Sequence, residues 1–91
     1  MAPEPRELPR PHPDVVHQHV RGEAVLVHLR TNRIYALNTT AARLWQLLCE
    51  GHDRDEIERR LLEEFDVGVG ELTGEIDALL ASLEAQGLLT R

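Results

Sequence analysis

The chain has 91 residues, a formal net charge of −6 and a single cysteine, Cys49. A chain of this length forms one domain with a modest core, and one cysteine excludes an internal disulfide. Residues 1–52 carry six Arg against five acids (net +1), whereas residues 53–91 carry four Arg against eleven (net −7), which argues against nucleic-acid binding.

Neither a signal peptide nor an apolar run long enough for a membrane span is visible in the sequence. A lone cysteine also fits a reducing compartment. We therefore expect a cytoplasmic protein without membrane contact.

All five prolines lie within Met1–Asp14. Because proline lacks an amide hydrogen and biases its neighbours to extended conformations, residues 1–14 are predicted to form a flexible, Pro-rich tail. A docking arm for a partner is the alternative for this segment. The folded domain is expected over residues 15–91.

Three segments after the tail are typical of strands. Val15–Arg21 alternates apolar and polar residues, and Ala24–Leu29 is rich in β-branched residues. Asn32 suits a left-handed backbone position in the hairpin before the third segment, Arg33–Leu37. The pattern predicts an antiparallel three-stranded meander. Since the third strand is apolar on both faces, we expect it to be covered or to pair with a partner.

Three amphipathic helices are predicted after the strands. Asn38 and the two following threonines can cap the first helix, and Gly51 can end it. Asp53 with Glu56 resembles a capping box for the second helix. The third is predicted over Glu71–Gln86, with the apolar stripe Leu72, Ile76, Leu79, Leu80 and Leu83. The expected fold is α+β, three strands followed by three helices.

Histidine and cysteine are the candidates for chemistry. His17, His19 and His28 lie on neighbouring predicted strands, and two histidines separated by one residue on a strand can present two ligands to zinc. No cysteine completes such a set nearby, so surface histidines without a metal are expected. Cys49 is expected to be a small half-buried hydrophobic residue, because a nucleophile would need a base and an oxyanion hole.

No glycine-rich phosphate loop or catalytic motif is present. We therefore expect a protein that is not an enzyme and that uses no cofactor. The third strand and the third helix instead suggest a binding surface. A free strand edge offers backbone groups to an extended peptide, and an apolar helix wall offers side-chain pockets. The alternative for the leucine stripe is a place in the core alone.

The run GEAVLVHLRTNRIYALNTTAARLWQLL, followed by a capped acidic helix and EIDALLASLEAQGLL, resembles the PqqD-like family. These proteins are recognition elements for precursors of ribosomally synthesised and post-translationally modified peptides (RiPPs). The resemblance covers about Val15–Leu89 and depends on the order and spacing of three short sequence features. These features are Tyr35-Ala36-Leu37-Asn38, the helix stripe Ala41, Leu44 and Trp45, and the closing Gly87-Leu88-Leu89. Asn32 is one departure, since similar sequences often have glycine there.

The resemblance implies a winged-helix-like domain that binds the leader part of a precursor peptide by β-augmentation. The leader would add as a strand to the third strand and lie against the third helix. The implied strand contacts are Arg33, Ile34, Tyr35, Ala36 and Leu37, and the implied helix contacts are Ile76, Asp77, Leu79, Leu80 and Leu83. Because the third helix has acids and no base, we predict a basic or non-acidic leader residue facing it.

Within the family, the free-standing form is most similar to the leader-binding protein of split lasso-peptide systems. The resemblance implies that it delivers the leader to a separate cysteine-protease-type leader peptidase. A PqqD-type peptide chaperone in pyrroloquinoline quinone biosynthesis is an alternative.

Two alternatives come from other functional classes. A winged-helix DNA-binding regulator shares the element order, but its reading helix needs Arg or Lys near its start, where this chain has Glu71, Glu75 and Asp77. A small structural subunit could use the same surface for a fixed protein partner. The unpaired third-strand edge also leaves open a homodimer through that edge.

Overall fold

The computed structural model describes residues 8–90 and confirms the α+β fold. The elements are β1 (Arg10–Pro11), β2 (Val15–Val20), β3 (Glu23–His28), β4 (Arg33–Leu37), α1 (Thr39–Cys49), α2 (Arg54–Glu64), α3 (Val69–Ala85) and β5 (Leu89–Thr90). Strands β2, β3 and β4 form the antiparallel three-stranded sheet, in that order. No helix within residues 8–90 is long and apolar enough to cross a membrane.

The proline-rich segment joins the fold before Val15, the predicted start of the domain. Strand β1 pairs antiparallel with β5, and the His12 backbone N–H donates to the carbonyl oxygen of Leu88 at 2.9 Å. Proline is tolerated in such a short strand because an edge position does not need its missing N–H. Residues 8–14, which the sequence assigned to the flexible tail, are thus part of the domain. This corrects the predicted boundary between tail and domain. Residues 1–7 lie outside the described part of the chain.

Local backbone signals in the sequence correspond to the observed turns and caps. Asn32 has a φ of 59°, and Gly51 has a φ of 85° immediately after α1. The Asn38 side chain accepts the backbone N–H of Ala41 at 3.0 Å, and Asp53 accepts that of Glu56 at 2.8 Å. Each cap satisfies an N–H that the first turn of a helix leaves free. The predicted starts of α1 and α2 are therefore confirmed.

The core lies between one face of the sheet and the three helices. Its largest fully buried side chains come from every layer: Leu26, Leu44, Trp45, Leu47, Ile57, Leu61, Leu72, Ile76 and Leu88. Full burial of one such side chain stabilises the fold by about 1.5–3 kcal/mol. No described residue outside the sheet packs over its opposite, outer face, whose row Val16, Val27 and Ile34 follows from the strand register. Ile34 in this row is 70% exposed.

Candidate functional site

Strand β4 is a terminal strand of the sheet. Among the described residues it pairs with β3 alone, with Tyr35 opposite Leu26 and Ile34 opposite Val27. An edge strand presents a row of unpaired N–H and C=O groups that another extended chain can use. We call the unpaired side of Arg33–Leu37 the β4 edge. Strand β2 is the other terminal strand, so the sheet has two edges.

The side chains of β4 divide between the two faces of the sheet. Arg33, Tyr35 and Leu37 share the inner face, since they pair with residues whose side chains are buried. Leu37 belongs to the core, whereas Tyr35 is partly buried and packs against its margin. Ile34 and Ala36 are exposed on the outer face. The expectation of a covered strand therefore holds for the inner face of β4 but not for its outer face.

Helix α3 uses most of its apolar stripe in the core. Ile76, Leu80 and Leu83 are 0%, 9% and 3% exposed, respectively. Leu79 is only partly buried and, like Tyr35, packs at the margin of the core. Of the five helix residues predicted to contact a ligand, only Leu79 and the exposed Asp77 present substantial side-chain surface.

Asp77 is held by a cation on the neighbouring helix. Arg54 at the start of α2 is buried, and its Nη1 lies 2.8 Å from Asp77 Oδ1. The same guanidinium donates to Glu58 Oε1 at 3.1 Å and to the carbonyl oxygen of Thr73 at 3.3 Å. The guanidinium therefore ties α2 to α3. Only the Arg54–Glu58 pair, four residues apart on one helix, has a sequence signal.

Asp77 and Leu79 point to nearly opposite sides of α3. Two residues along an α-helix correspond to a rotation of about 200°. Since Asp77 contacts Arg54, its side of α3 is directed to α2, and Leu79 lies on the side away from α2. The structure thus places on different sides of α3 two residues that the resemblance gave together as helix contacts.

The histidines and Cys49 differ partly from expectation. His28 is 5% exposed and buried, which corrects the prediction of a surface residue, whereas His17 and His19 are exposed. Across residues 8–90 no group of three or more His, Cys, Asp or Glu could hold a metal ion. Cys49 is an exposed residue, yet desolvation of its thiol, followed by the charge of Glu50, raises its pKa. A raised thiol pKa disfavours the thiolate that a nucleophile requires.

A separate open cavity of about 750 Å³ lies between residues 8–15 and residues 48–53. Its wall includes Pro11, His12, Leu48 and His52, and no residue of β4 or α3 lines it. This cavity is therefore distinct from the β4 edge.

A family model and two solved structures match the chain. The family model of coenzyme PQQ synthesis protein D (PqqD) matches residues 23–89, from β3 to β5. The structure of TbiB1 in complex with the TbiA(beta) leader peptide is similar at a TM-score of 0.83 and 30% identity, covering 88% of this chain and 93% of that chain. A lasso peptide synthetase B1 complexed with the leader peptide is similar at a TM-score of 0.81 and 28% identity, covering 90% of this chain and 96% of that chain.

No curated protein matches the chain. The family model nevertheless spans well over half of the sequence, and the two solved structures are similar over nearly all of it. This chain belongs to the PqqD family.

Proposed function

We propose that this protein binds the leader region of a ribosomal precursor peptide and presents it to a partner processing enzyme. The observation that carries the proposal is a free strand edge in a chain whose structure matches a leader-bound protein at a TM-score of 0.83. A second leader-bound relative has a similar structure. The partner enzyme supplies the chemistry, consistent with the raised pKa of Cys49.

The proposed mode of binding is β-augmentation at the β4 edge. A leader strand beside β4 would satisfy the unpaired backbone groups of Arg33–Leu37, and its alternate side chains would point to the inner face. Tyr35 and Leu79 are the two partly buried apolar residues that β4 and α3 place at the margin of the core. Apolar leader residues packed between them would lose solvent contact, at about 25 cal/mol for each Å² of apolar area buried.

The predicted contact residues take different roles in this proposal. The backbone of Arg33–Leu37 pairs with the leader, and Tyr35 and Leu79 contact its side chains. Ile76, Leu80 and Leu83 shape the wall from within the core, as their burial indicates. Asp77 braces α3 through Arg54, so a basic leader residue facing Asp77 would have to compete with an existing cation. We therefore expect Asp77 to contribute less to affinity than Leu79.

The pathway we propose is lasso-peptide biosynthesis with a cysteine-protease-type leader peptidase as the partner. The supporting observation is that one similar structure is a lasso peptide synthetase B1. The family model, which describes a protein of coenzyme PQQ synthesis, favours a second candidate, a peptide chaperone in that pathway. Both candidates use the same strand edge and differ in the peptide that is bound.

The test is fluorescence polarisation with labelled leader peptides encoded near this gene, alongside a precursor peptide of pyrroloquinoline quinone biosynthesis. Saturable binding of one class of peptide identifies the pathway. Tyr35→Ala and Leu79→Ala should each weaken binding about tenfold or more, because each removes apolar area at the proposed contact. Circular dichroism would confirm that both variants remain folded.

His19→Ala on β2 is the matched control, since it truncates an exposed ring at the other edge of the sheet. Its affinity for the leader should equal that of the wild type. A short DNA duplex serves as a second control. Salt-sensitive DNA binding without peptide binding would replace this proposal with the winged-helix regulator.

A further inference from the structure

Strand β2 forms the second edge of the sheet, and this edge lacks the usual protection against pairing. We call the unpaired side of Val15–Val20 the β2 edge, because among the described residues only β3 pairs with this strand. Proteins guard such edges with charged residues, prolines or bulges. The segment VVHQHV contains no charged residue and no proline, and its six residues pair with β3 without a bulge. The β2 edge is therefore open to another extended chain.

The backbone hydrogen bonds show which groups face the β2 edge. The Leu29 N–H donates to the carbonyl oxygen of Asp14 at 2.8 Å, and these two residues continue the register of β2 with β3. Along an antiparallel strand, residues whose backbone groups face the partner alternate with residues whose groups face away. The even-numbered residues of β2 thus face β3, and the odd-numbered residues face outward. After Val15, the outward groups within β2 are the N–H and C=O of His17 and His19.

We propose that the β2 edge pairs with the β2 edge of a second copy of this chain, in antiparallel orientation, with a two-fold axis at Gln18. This register places His17 opposite His19 of the second copy, so that the outward groups form two hydrogen-bonded pairs. The segment VHQHV reads the same in both directions from its centre. Val16 therefore meets Val20 of the second copy on the outer face. A symmetric dimer requires this kind of self-complementarity.

The two neighbouring registers satisfy fewer backbone groups. A two-fold axis at His17 would need the N–H of Val15, which already donates to the carbonyl oxygen of His12 at 3.0 Å. An axis at His19 would need Arg21 in an extended conformation, but this residue lies in the turn after β2 with a φ of 53°. The central register alone pairs all the outward groups that are free.

Side chains and charge favour the same pairing. Val16 and Val20 are 47% and 51% exposed, and a cross-strand contact between them would bury part of this apolar area. Asp14 of one copy would lie at the same end of the interface as Arg21 of the other, and the symmetry repeats these opposite charges at the second end. Asp14 already lies 3.5 Å from Arg30, so the contribution of this pair is modest. The paired strands themselves carry no formal charge, so no like charges oppose each other across the axis.

The small size of the interface sets its strength. A pair of six-residue strands buries less than the roughly 1,200 Å² at which standard-size interfaces begin. Both strands are already ordered by β3, and the His17 ring already accepts the Trp45 indole N–H, so pairing costs little further conformational freedom. We expect a dissociation constant of about 10 µM to 1 mM.

Pairing through β2 leaves the leader-binding edge of each copy free. The strand order of the dimer would be β4-β3-β2-β2-β3-β4, which places the two β4 edges at opposite ends of one six-stranded sheet. The dimer would then hold two leader peptides. This consequence rests on the function proposed above, whereas the pairing of the two copies does not. A dimer through β4 would instead compete with the leader.

The first test places charges on the two-fold axis. Sedimentation equilibrium of the wild-type chain should give a mass that rises above 10.3 kDa toward twice that value as the concentration approaches about 1 mM. Gln18→Lys and Gln18→Glu each put two like charges opposite one another in a homodimer, so each should dimerise about fivefold more weakly at low salt. An equimolar mixture of the two variants pairs opposite charges and should associate about tenfold more tightly than either variant alone.

Ala36→Lys and Ala36→Glu are the matched controls, because Ala36 lies in the same row of the outer face as Gln18 but on β4. These variants, alone or mixed, should dimerise like the wild type. A wild-type chain that stays monomeric at about 1 mM would overturn the proposal. So would a mixture of the Gln18 variants that is no tighter than either alone, or an effect confined to the Ala36 variants.

The second test removes a backbone donor from the β2 edge. His19→Pro deletes an outward N–H and keeps the hydrogen bonds between β2 and β3, whereas His19→Ala makes the same side-chain loss and keeps the N–H. Dimerisation should be lost in His19→Pro and retained in His19→Ala; equal association of the two variants would contradict the proposed pairing. If His19→Pro does not fold by circular dichroism, the charge variants of Gln18 still decide.

The third test adds the leader peptide to the wild-type dimer. Saturating leader should leave the dissociation constant of the dimer unchanged, because the two β4 edges lie away from the axis. Dissociation of the dimer by bound leader would assign the contact to β4 and overturn the proposal. A leader that does not bind contradicts the proposed function alone, since the first two tests use no peptide.

Discussion

The two edges of the sheet differ in what lies on the inner face of the strand. At the β4 edge the inner face carries Tyr35 and Leu37, which border or enter the core. At the β2 edge the corresponding positions carry His17 and His19, both exposed residues. In the described part of the chain both strands have an unpaired edge, so backbone geometry alone does not distinguish them.

The difference indicates that side chains decide which edge suits an added strand. A peptide on β4 can bury apolar side chains beside Tyr35. This hydrophobic burial adds to the binding free energy that its backbone hydrogen bonds supply. A peptide on β2 would meet imidazoles, one of which already accepts the Trp45 indole N–H. We therefore expect β4 to be the binding edge and β2 to be held by polar ties. The following predictions test this comparison.

The largest effect is expected from Leu26→Ala, which should disrupt both edges. Leu26 is fully buried on the central strand and pairs with His17 on one side and Tyr35 on the other. Truncating a buried leucine costs about 2–5 kcal/mol, a large part of the stability of a small domain. Urea unfolding followed by Trp45 fluorescence measures the loss. Val25→Ala, on the exposed outer face of the same strand, is the control and should change stability by less than about 1 kcal/mol.

Arg54→Ala should affect the β4 edge more than the β2 edge. The change removes the contacts to Asp77 and the Thr73 carbonyl oxygen that hold α3 on α2, and the contact to Glu58 within α2. We expect a loss of about 1–3 kcal/mol in unfolding free energy and weaker leader binding, because α3, the helix that carries Leu79, loses its tie to α2. Arg59→Ala, which removes an exposed, solvent-screened ion pair with Glu56, should cost clearly less. Equal losses in the two variants would contradict the bracing role.

Hydrogen exchange can show directly which edge a peptide uses. At saturating leader peptide, the β4 amides that face the unpaired edge should exchange at least about tenfold more slowly, because pairing with the peptide removes them from solvent. The amides of β2 should be unchanged. Mass spectrometry of the peptic fragments containing 15–20 and 33–37 measures both. Protection of β2 instead would reverse the comparison.

The smallest effect is expected from Glu56→Gln on α2. Hydrogen bonds from Arg59 and then Arg60 lower the pKa of Glu56 from 4.5 to about 2. This carboxylate therefore stabilises the fold above its ordinary pKa, and that contribution is lost as the pH falls toward 2. The variant should flatten the acid limb of a stability curve and leave leader binding at neutral pH unchanged. A change in affinity at pH 7 would show that α2 contributes to the β4 edge in another way.

Most of the fold was predictable because its signals are local. Asn38, Asp53, Gly51 and Asn32 act on backbone groups within a few residues, and the structure has each in the predicted cap or turn. The alternation of side chains along the strands also follows from neighbouring residues. The number and order of the main strands and helices were thus predictable from the sequence.

The predicted site was less complete because it depends on burial. A leucine stripe shows which face of α3 is apolar, but not which of its members the core covers. The structure places Ile76 and Leu83 in the core and leaves Leu79 at its margin. Asp77 was grouped with them because the family resemblance implied it, although helical rotation places it on the side of α2.

Element order, helix caps and the apolar β4 strand follow from short-range patterns, and these were already present in the amino-acid sequence. Contacts between distant residues followed only from tertiary structure: the pairing of β1 with β5, the Arg54–Asp77 ion pair and the hydrogen bond from Trp45 to His17. The physical reason is that caps and turns depend on backbone groups a few residues away, whereas burial and long-range polar contacts depend on how all layers pack together. Within residues 8–90, the same packing leaves β4 with an unpaired edge beside an apolar margin and joins β2 to α1 through the His17–Trp45 hydrogen bond.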